Sequence, residues 1–251
     1  MITAPEQGGG HFRRLWSYDI QRRTLQNLGI RAVAPGGSFE FIEANGRLIA
    51  YRPDISGPPA VAVFEFATSQ SEVLSARATF YYPAIAASED LVAYGASELF
   101  SGKDLNGDGD QSDDVLFVWD RARQLSWTFP RALVPQHFND ERNIRVSGRW
   151  AAFLQSESGG VPQDLNGDGD VGDGVLQYLD MRGSEPRFVN LGFAAGHRFD
   201  IQGQRVTAIG DARRSFLAYD GRSGWSQTVT GWTEFFAARG NIAAFAMQEV
   251  V

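Results

Sequence analysis

The chain has 251 residues, of which 43% are hydrophobic, and a formal net charge of −7. It contains no cysteine, which excludes disulfides, thiolate metal sites and cysteine nucleophiles. The sequence has no apolar run of ~18 residues and no basic patch, so we expect neither a membrane span nor nucleic-acid binding.

From the N-terminus, the first predicted strand is Arg-Leu-Trp-Ser-Tyr-Asp (14–19). Four later runs share its β-branched or aromatic character. They are Val-Ala-Val-Phe-Glu-Phe (61–66), Val-Leu-Phe-Val-Trp-Asp (115–120), Val-Leu-Gln-Tyr-Leu-Asp (175–180) and Phe-Leu-Ala-Tyr-Asp (216–220). Short runs of this composition between turn residues are typical of strands.

A second element recurs as a short apolar strand after a polar or glycine-containing turn. Its copies are Leu-Ile-Ala-Tyr (48–51), Leu-Val-Ala-Tyr (91–94), Trp-Ala-Ala-Phe (150–153), Val-Thr-Ala-Ile (206–209) and Ile-Ala-Ala-Phe (242–245). The first four copies each precede one of the runs described above. The fifth has no run after it, whereas 14–19 has no such element before it, so we expect the N-terminal strands to complete the last repeat.

This pattern predicts an all-β, single-domain, five-bladed β-propeller, closed by pairing of the N- and C-terminal strands in one blade. Five repeats give about 50 residues each, which suits a four-stranded blade, and a closed ring protects the strand edges. The predicted blades are approximately 11–29 with 233–251, 37–76, 79–130, 141–192 and 196–230. A β-sandwich with similar strands is the alternative, and the complementary termini argue against it.

The heptapeptide Asp-Leu-Asn-Gly-Asp-Gly-Asp occurs twice, at 104–110 and 164–170, between the second and third strands of two consecutive blades. Calcium takes ~6–8 oxygen ligands, and carboxylates and amides at alternate positions can supply them, with a sharp glycine turn at the sixth position. The candidate ligands for two Ca2+ ions are Asp104, Asn106, Asp108, Asp110 and Asp113 in the first copy, and Asp164, Asn166, Asp168, Asp170 and Asp173 in the second.

The shared acid at the tenth position assigns the closing carboxylate to Asp113 and Asp173. An EF-hand loop lies between two helices and has a glutamate at its twelfth position. Here the twelfth position is Val115 or Val175, and a predicted strand begins there, so an EF-hand is excluded. Dense like charges repel, and two calcium ions would reduce the net charge from −7 to −3. A solvated acidic turn without metal is the alternative, and the matching context of the two copies favours the metal site.

The acidic string followed by an acid and an apolar strand resembles the calcium loops of integrin-alpha type repeats and of secreted bacterial propellers. The resemblance covers the two loops, and the common acid lies one position later than in the integrin-type pattern. It implies that the calcium is structural.

Catalytic candidates lie where the innermost strands would reach the channel mouth. The equivalent positions there are Glu40, Pro83, Arg142, Arg198 and Glu234, with His197 and Asp200 beside Arg198. A glycoside-active propeller using Glu40, Glu234 and Asp200 is therefore an alternative function, since glycosidases need paired carboxylates. Two arginines at the same level favour salt bridges instead.

Other candidate sites are weaker. His11, His137 and His197 lack the spacing of a zinc site. Trp225 and Trp232 could stack on a sugar or a partner, or pack between blades. The leading hypothesis is a non-catalytic, calcium-stabilised module that binds a protein or carbohydrate ligand. We expect a monomeric domain in an extracellular, cell-surface or periplasmic setting, where calcium is abundant.

Overall fold

The structure, a computed structural model, describes residues 2–5, 12–33, 42–44, 47–53, 60–75, 85–134, 143–210, 215–231, 233–239 and 242–247. The described strands are β1 (Ile2–Pro5), β2 (Phe12–Asp19), β3 (Thr24–Val33), β4 (Ile42–Ala44), β5 (Leu48–Tyr51), β6 (Val61–Glu65), β7 (Gln70–Ser75), β8 (Ile85–Ala87), β9 (Leu91–Ser97), β10 (Asp114–Asp120), β11 (Leu125–Ala132), β12 (Ile144–Ser147), β13 (Trp150–Ser156), β14 (Gly174–Asp180), β15 (Arg187–Gln202), β16 (Arg205–Gly210), β17 (Ser215–Asp220), β18 (Trp225–Thr230), β19 (Thr233–Arg239) and β20 (Ile242–Met247). One helical turn, α1 (Glu98–Ser101), follows β9. The predicted all-β class is confirmed.

Within each sheet, strands that follow one another along the chain pair as antiparallel neighbours. The sheets are β1-β2-β3, β4 to β7, β8 to β11, a seven-stranded sheet from β12 to β18, and the pair β19-β20. In the seven-stranded sheet the long β15 pairs with β14 through its first half and with β16 through its second half. It therefore serves two consecutive four-stranded units, β12 to β15 and β15 to β18.

Three buried apolar clusters lie between consecutive sheets, and a fourth lies between the two four-stranded units of the seven-stranded sheet. Representative members, from the N-terminal cluster onward, are Leu15 with Ile49, Leu48 with Val92, Leu116 with Phe153, and Leu154 with Ala208. Each fully buried aliphatic or aromatic side chain contributes ~1.5–3 kcal/mol of hydrophobic free energy. These clusters stack the sheets face to face in chain order, which is the packing that a propeller requires.

Tight turns at one end of the sheets explain why strands β2, β10 and β17 end in aspartate. The Asp19 carboxylate accepts a hydrogen bond from the backbone N–H of Arg22 at 2.9 Å, and that of Asp120 accepts one from Arg123 at 3.2 Å. Asp220 caps its turn in the same way, through the N–H of Arg222 at 2.9 Å. A short side-chain acceptor stabilises such turns by satisfying the N–H groups that the strand ladder leaves free.

The copies of both recurring elements lie on strands, and the two acidic segments lie between the second and third strands of their sheets, as predicted. The predicted pairing of the C-terminal strand with β2, which would close the ring, is not seen among the described residues. Strand β1 pairs with β2 along the edge opposite β3, with Ile2 facing Trp16 and Pro5 facing Arg13. Among the described residues β20 pairs with β19, and no described sheet closes on itself.

Candidate metal sites

Two acidic loops connect second strands to third strands. Loop I is residues 98–113, between β9 and β10, and loop II is residues 157–173, between β13 and β14. The pairing of Ser97 with Asp114 closes the base of loop I, and that of Ser156 with Gly174 closes the base of loop II. Each loop is therefore held at its base by a rigid ladder, while its acidic residues project beyond the sheet.

Four carboxylates converge in loop I. Glu98, Asp108, Asp110 and Asp113 each offer an oxygen, and these oxygens lie within 4.8 Å of one another. Glu98 is fully buried, while Asp110 is exposed. In the part of the chain that the structure describes, none of the four forms an ion pair with arginine or lysine. Like charges at this distance repel strongly, and a divalent cation would relieve the repulsion.

Glu98 organises the backbone of loop I. Its Oε1 accepts hydrogen bonds from the N–H groups of Leu105 at 2.6 Å and Asn106 at 3.1 Å, and its Oε2 accepts one from Asp113 at 3.1 Å. The carbonyl of Asp113 accepts a bond from the N–H of Glu98 at 2.9 Å. Charge-assisted bonds to a single carboxylate thus tie the start of the loop to its middle and its end.

Asp104 and Asn106 shape loop I from within. The Asp104 carboxylate accepts hydrogen bonds from the N–H groups of Gly107 and Gly109, the second at 2.9 Å. Both glycines have positive φ, 82° and 100°, which residues with a Cβ rarely adopt. The Asn106 amide donates to Asp108 at 3.0 Å and to Asp113 at 2.8 Å. These two predicted ligands therefore hold the turn and orient the carboxylates.

Loop II repeats the arrangement. Glu157 is buried, and its Oε1 accepts from the N–H of Leu165 at 2.6 Å while its Oε2 accepts from that of Asp173 at 3.2 Å. The Asn166 amide donates to Asp168 at 3.1 Å and to Asp173 at 2.9 Å. Asp164 accepts from the N–H groups of Gly167 and Gly169, as Asp104 does in loop I.

The converging carboxylates of loop II are Glu157, Asp170 and Asp173, whose oxygens again lie within 4.8 Å of one another. Asp168 is exposed and stands outside this group, whereas its counterpart Asp108 is half-buried and belongs to the group in loop I. Two copies of one sequence thus give two similar clusters that differ in burial and in the number of acids.

The sequence analysis did not identify Glu98 or Glu157. Both lie outside the repeated heptapeptide, six residues before it in loop I and seven in loop II. A signal was nevertheless present, because each glutamate follows a serine and lies seven residues after the start of its apolar strand element, Leu91 or Trp150. Aligning the copies on the strand, rather than on the acidic string, brings the two glutamates into register.

Burial and charge together raise the pKa of acids in both clusters. Removal from water, a hydrogen bond with Asp108 and the nearby charges of Asp108 and Glu98 raise the pKa of Asp113 to about 6. Burial also raises the pKa of Asp173, with the charge of Asp168 acting in the same direction. The raised pKa values show that no nearby positive charge among the described residues compensates these acids.

The predicted channel residues are described only in part. Glu40, Pro83 and Arg142 lie outside the described residues, as do His11, His137 and Trp232. Arg198, His197 and Asp200 lie on β15, and Glu234 lies on β19. The Asp200 carboxylate accepts a hydrogen bond from the side chain of Gln202 at 3.3 Å. Trp225, at the start of β18, is exposed.

No protein-family model and no curated protein sequence matches the chain. None of the described residues forms an apolar helix of the length needed to traverse a bilayer.

Solved structures with a similar fold include TolB from Acinetobacter baumannii, at 11% sequence identity, with 93% of this chain and 56% of that one covered and a TM-score of 0.47. They include a structure from a study of two prolyl endopeptidases, at 16% identity, with coverage of 93% and 33% and a TM-score of 0.53. A dipeptidyl peptidase 4 from Porphyromonas gingivalis has 10% identity, coverage of 91% and 37%, and a TM-score of 0.49.

These neighbours are β-propeller proteins, and the chain spans between a third and just over half of their lengths. The similarity to the prolyl endopeptidase structure shows a propeller-like all-β fold for this chain, and at this identity it extends to the fold alone.

Proposed function

We propose that this chain is a calcium-stabilised, non-catalytic β-propeller that serves as a binding or scaffold module. Loops I and II are its two calcium sites. In this proposal the ion completes each loop by binding the carboxylates that converge there, and it fixes the start of the third strand relative to the end of the second strand.

The observation that carries the proposal is that carboxylates converge in each loop without a basic side chain among the described residues to compensate their charge. In each loop a buried glutamate lies within 4.8 Å of further carboxylates, and no described arginine or lysine forms an ion pair with them. Burying an unpaired charge is costly, so proteins usually pair such charges or bind a metal with them. The structural similarity to propellers supports the fold and is silent on the metal.

The donor set favours calcium over other cations. It consists of carboxylates, which are the hard oxygen ligands that calcium and magnesium prefer. Magnesium requires a compact octahedral shell and retains several waters, whereas calcium accepts more ligands in an irregular arrangement. The clusters contain no histidine or cysteine, the ligands typical of zinc.

Isothermal titration of the metal-free chain with calcium tests this proposal. We expect two ions per chain and dissociation constants in the micromolar to millimolar range that is typical of extracellular modules and sensors. Asp104→Ala should abolish one binding event and Asp164→Ala the other, because each removes the carboxylate that holds two glycine N–H groups of its loop. Titration with magnesium is the matched control.

A flat titration with calcium would reject the metal sites. Equal binding of calcium to wild-type protein and to the Asp104→Ala, Asp164→Ala double variant would show that calcium binds elsewhere. A moderate affinity would agree with our proposed extracellular, cell-surface or periplasmic setting, and pull-down with and without calcium would then search for the protein or carbohydrate ligand.

The five-bladed ring is part of this proposal, and the five copies of the strand pair in the sequence support it. Closure requires β20 to pair with the edge of β2 that β1 occupies in the structure. Deletion of residues 1–5 tests the two arrangements. If β20 completes the blade, the melting temperature should stay unchanged, and if β1 is needed at that edge, it should fall.

A further inference from the structure

Loop II lies directly against the candidate ligands of loop I. A Cβ atom placed on Gly160 would lie 3.3 Å from Nδ2 of Asn106 and 3.4 Å from Oδ2 of Asp108. Asn106 in turn donates hydrogen bonds to Asp108 and Asp113. The backbone of loop II therefore forms part of the wall that holds the carboxylates of loop I.

The end of β11 brings the two loops together. Leu133 forms an isolated bridge with Gln155, and the N–H of Val134 donates to the carbonyl of Leu154 at 3.1 Å. A Cβ atom on Gly159 would lie 2.6 Å from the Cβ of Ala132. The first residues of loop II are thus packed against the outer strand of the sheet that carries loop I, with room for glycine only.

Loop II has an anchor of its own on β15. The side chain of Asn190 donates to the carbonyl of Leu165 at 2.8 Å, and it accepts a hydrogen bond from the buried side chain of Gln177 at 3.1 Å. The corresponding cross-strand pair beside loop I is Phe117 with Thr128, whereas beside loop II it is Gln177 with Asn190. Phenylalanine cannot make the hydrogen bond of Gln177.

We propose, on the basis of the proposed metal sites, that loops I and II form one coupled unit and that calcium binding to either loop raises the affinity of the other through the Gly160 contact. Binding to loop II brings Glu157, Asp170 and Asp173 around one ion and fixes the segment that carries Gly160. That segment fixes Asn106 and Asp108, so loop I loses less conformational freedom when it binds. Coupling of this kind is reciprocal.

Gly160→Ala tests the contact without any metal. Gly160 has a φ of +80°, and an added methyl group would press on Asn106 and Asp108. In metal-free protein, hydrogen exchange should accelerate at the loop I amides that hold the turn, those of Asp108, Gly109 and Asp110. Gly203→Ala is the matched control, because Gly203 also has a positive φ, +58°, with open space around it. Unchanged exchange in loop I of Gly160→Ala would overturn the proposal.

Calcium titration of labelled protein, followed through the separate NMR amide signals of Gly109 and Gly169, tests the coupling itself. Asp164→Ala should weaken binding at loop I by about fivefold or more, the lower range of allosteric coupling. The same change introduced together with Gly160→Ala should have a smaller effect on loop I. Asp104→Ala should weaken loop II by the same factor as Asp164→Ala weakens loop I.

The outcomes separate this proposal from the one on which it rests. If wild-type protein binds no calcium, the metal sites fail, and hydrogen exchange in Gly160→Ala still decides whether the loops are coupled. If wild-type protein binds two calcium ions but Asp164→Ala leaves the affinity of loop I unchanged, the sites stand and the coupling fails.

Discussion

Strand β10 has an aspartate at each end, Asp120 as its last residue and Asp113 directly before its first, and the two aspartates have different surroundings. At one end, Asp120 is fully buried and its carboxylate accepts hydrogen bonds from both terminal nitrogens of Arg149, one at 3.3 Å. Arg123 forms an ion pair with the same carboxylate at 3.3 Å. At the other end, Asp113 faces Asp108 and Glu98, and its pKa is raised to about 6.

Strand β14 shows the same polarity. A hydrogen bond from Arg182 lowers the pKa of Asp180 at one end, whereas burial raises the pKa of Asp173 at the other. The comparison shows that the charge facing an aspartate, and not the residue type, decides its role. Asp120 pairs with Arg149 of the next sheet, whereas Asp180 pairs with Arg182 of its own turn, and the acids that face other acids form groups that could hold a cation.

The largest expected effect is that of removing calcium with a chelator, which should act on the acidic loops and not on the arginine-paired ends of the strands. If loops I and II bind calcium as proposed, free calcium 100-fold above the dissociation constant should stabilise the fold by ~2.7 kcal/mol per site. Loss of both ions should therefore lower the melting temperature by on the order of 10 °C for a domain of this size. Scanning calorimetry with calcium and with EDTA measures this difference, and the Asp104→Ala, Asp164→Ala double variant should not respond to EDTA. Superimposable curves for the wild-type protein would contradict a stabilising role.

The next effect is expected at the arginine end. Arg149→Ala leaves the buried Asp120 with Arg123 alone and also removes bonds to the carbonyl of Met181. Because Arg123 still compensates the charge, the loss should be that of hydrogen bonds to a charged group, ~1.5–3 kcal/mol. Urea unfolding should show this loss equally with calcium and with EDTA. Arg22→Ala, which removes an exposed pair with Asp19, should cost less than ~1 kcal/mol, and a loss for Arg149→Ala that disappears in EDTA would contradict the separation of the two ends.

A smaller effect distinguishes the two loops from each other. Asn190→Ala removes the hydrogen bond to the carbonyl of Leu165, together with those that Asn190 accepts from the side chain of Gln177 and the N–H of Gly192. Each such bond contributes ~1 kcal/mol, and the one to Leu165 is the one that reaches loop II. The calcium affinity of loop II, followed through the amide signal of Gly169, should fall more than that of loop I. Thr128→Ala, at the corresponding position beside loop I, is the control and should leave both affinities unchanged. Equal calcium affinities in the two variants would show that Asn190 does not support loop II.

The smallest effect is the response to acid. In metal-free protein the raised pKa of Asp113 means that its ionised form destabilises the fold above about pH 6. Stability should therefore increase as the pH falls from 7 towards 4, and Asp113→Asn should reduce this gain to the part that the raised pKa of Asp173 contributes. Asp180 has the opposite sign, because its lowered pKa stabilises the fold above its ordinary value of 3.8 and this contribution is lost below it. Melting temperatures of metal-free protein between pH 7 and 4 measure the effect of Asp113, and melting temperatures below pH 4 measure that of Asp180.

Local sequence was sufficient for the strands and for the position of the acidic loops. Alternation of apolar and polar residues, turn residues and the recurring strand pair are short-range signals, and β5 has the predicted bounds, Leu48–Tyr51. The repeated heptapeptide likewise specified its own turn, because its glycines and short acceptors act over five residues or fewer.

Tertiary structure decided which distant residues and strand edges those strands and loops contact. Glu98 and Glu157 join the clusters because a strand ladder returns the chain to them 15 or 16 residues later, and Gly160 meets Asn106 because β11 packs against β13. The edge of β2 is taken by β1, although the sequence pattern predicted β20 there. Side-chain period and turn chemistry are local properties of the sequence, whereas the choice among several compatible strand edges, and the charge opposite each aspartate, depend on packing between distant segments.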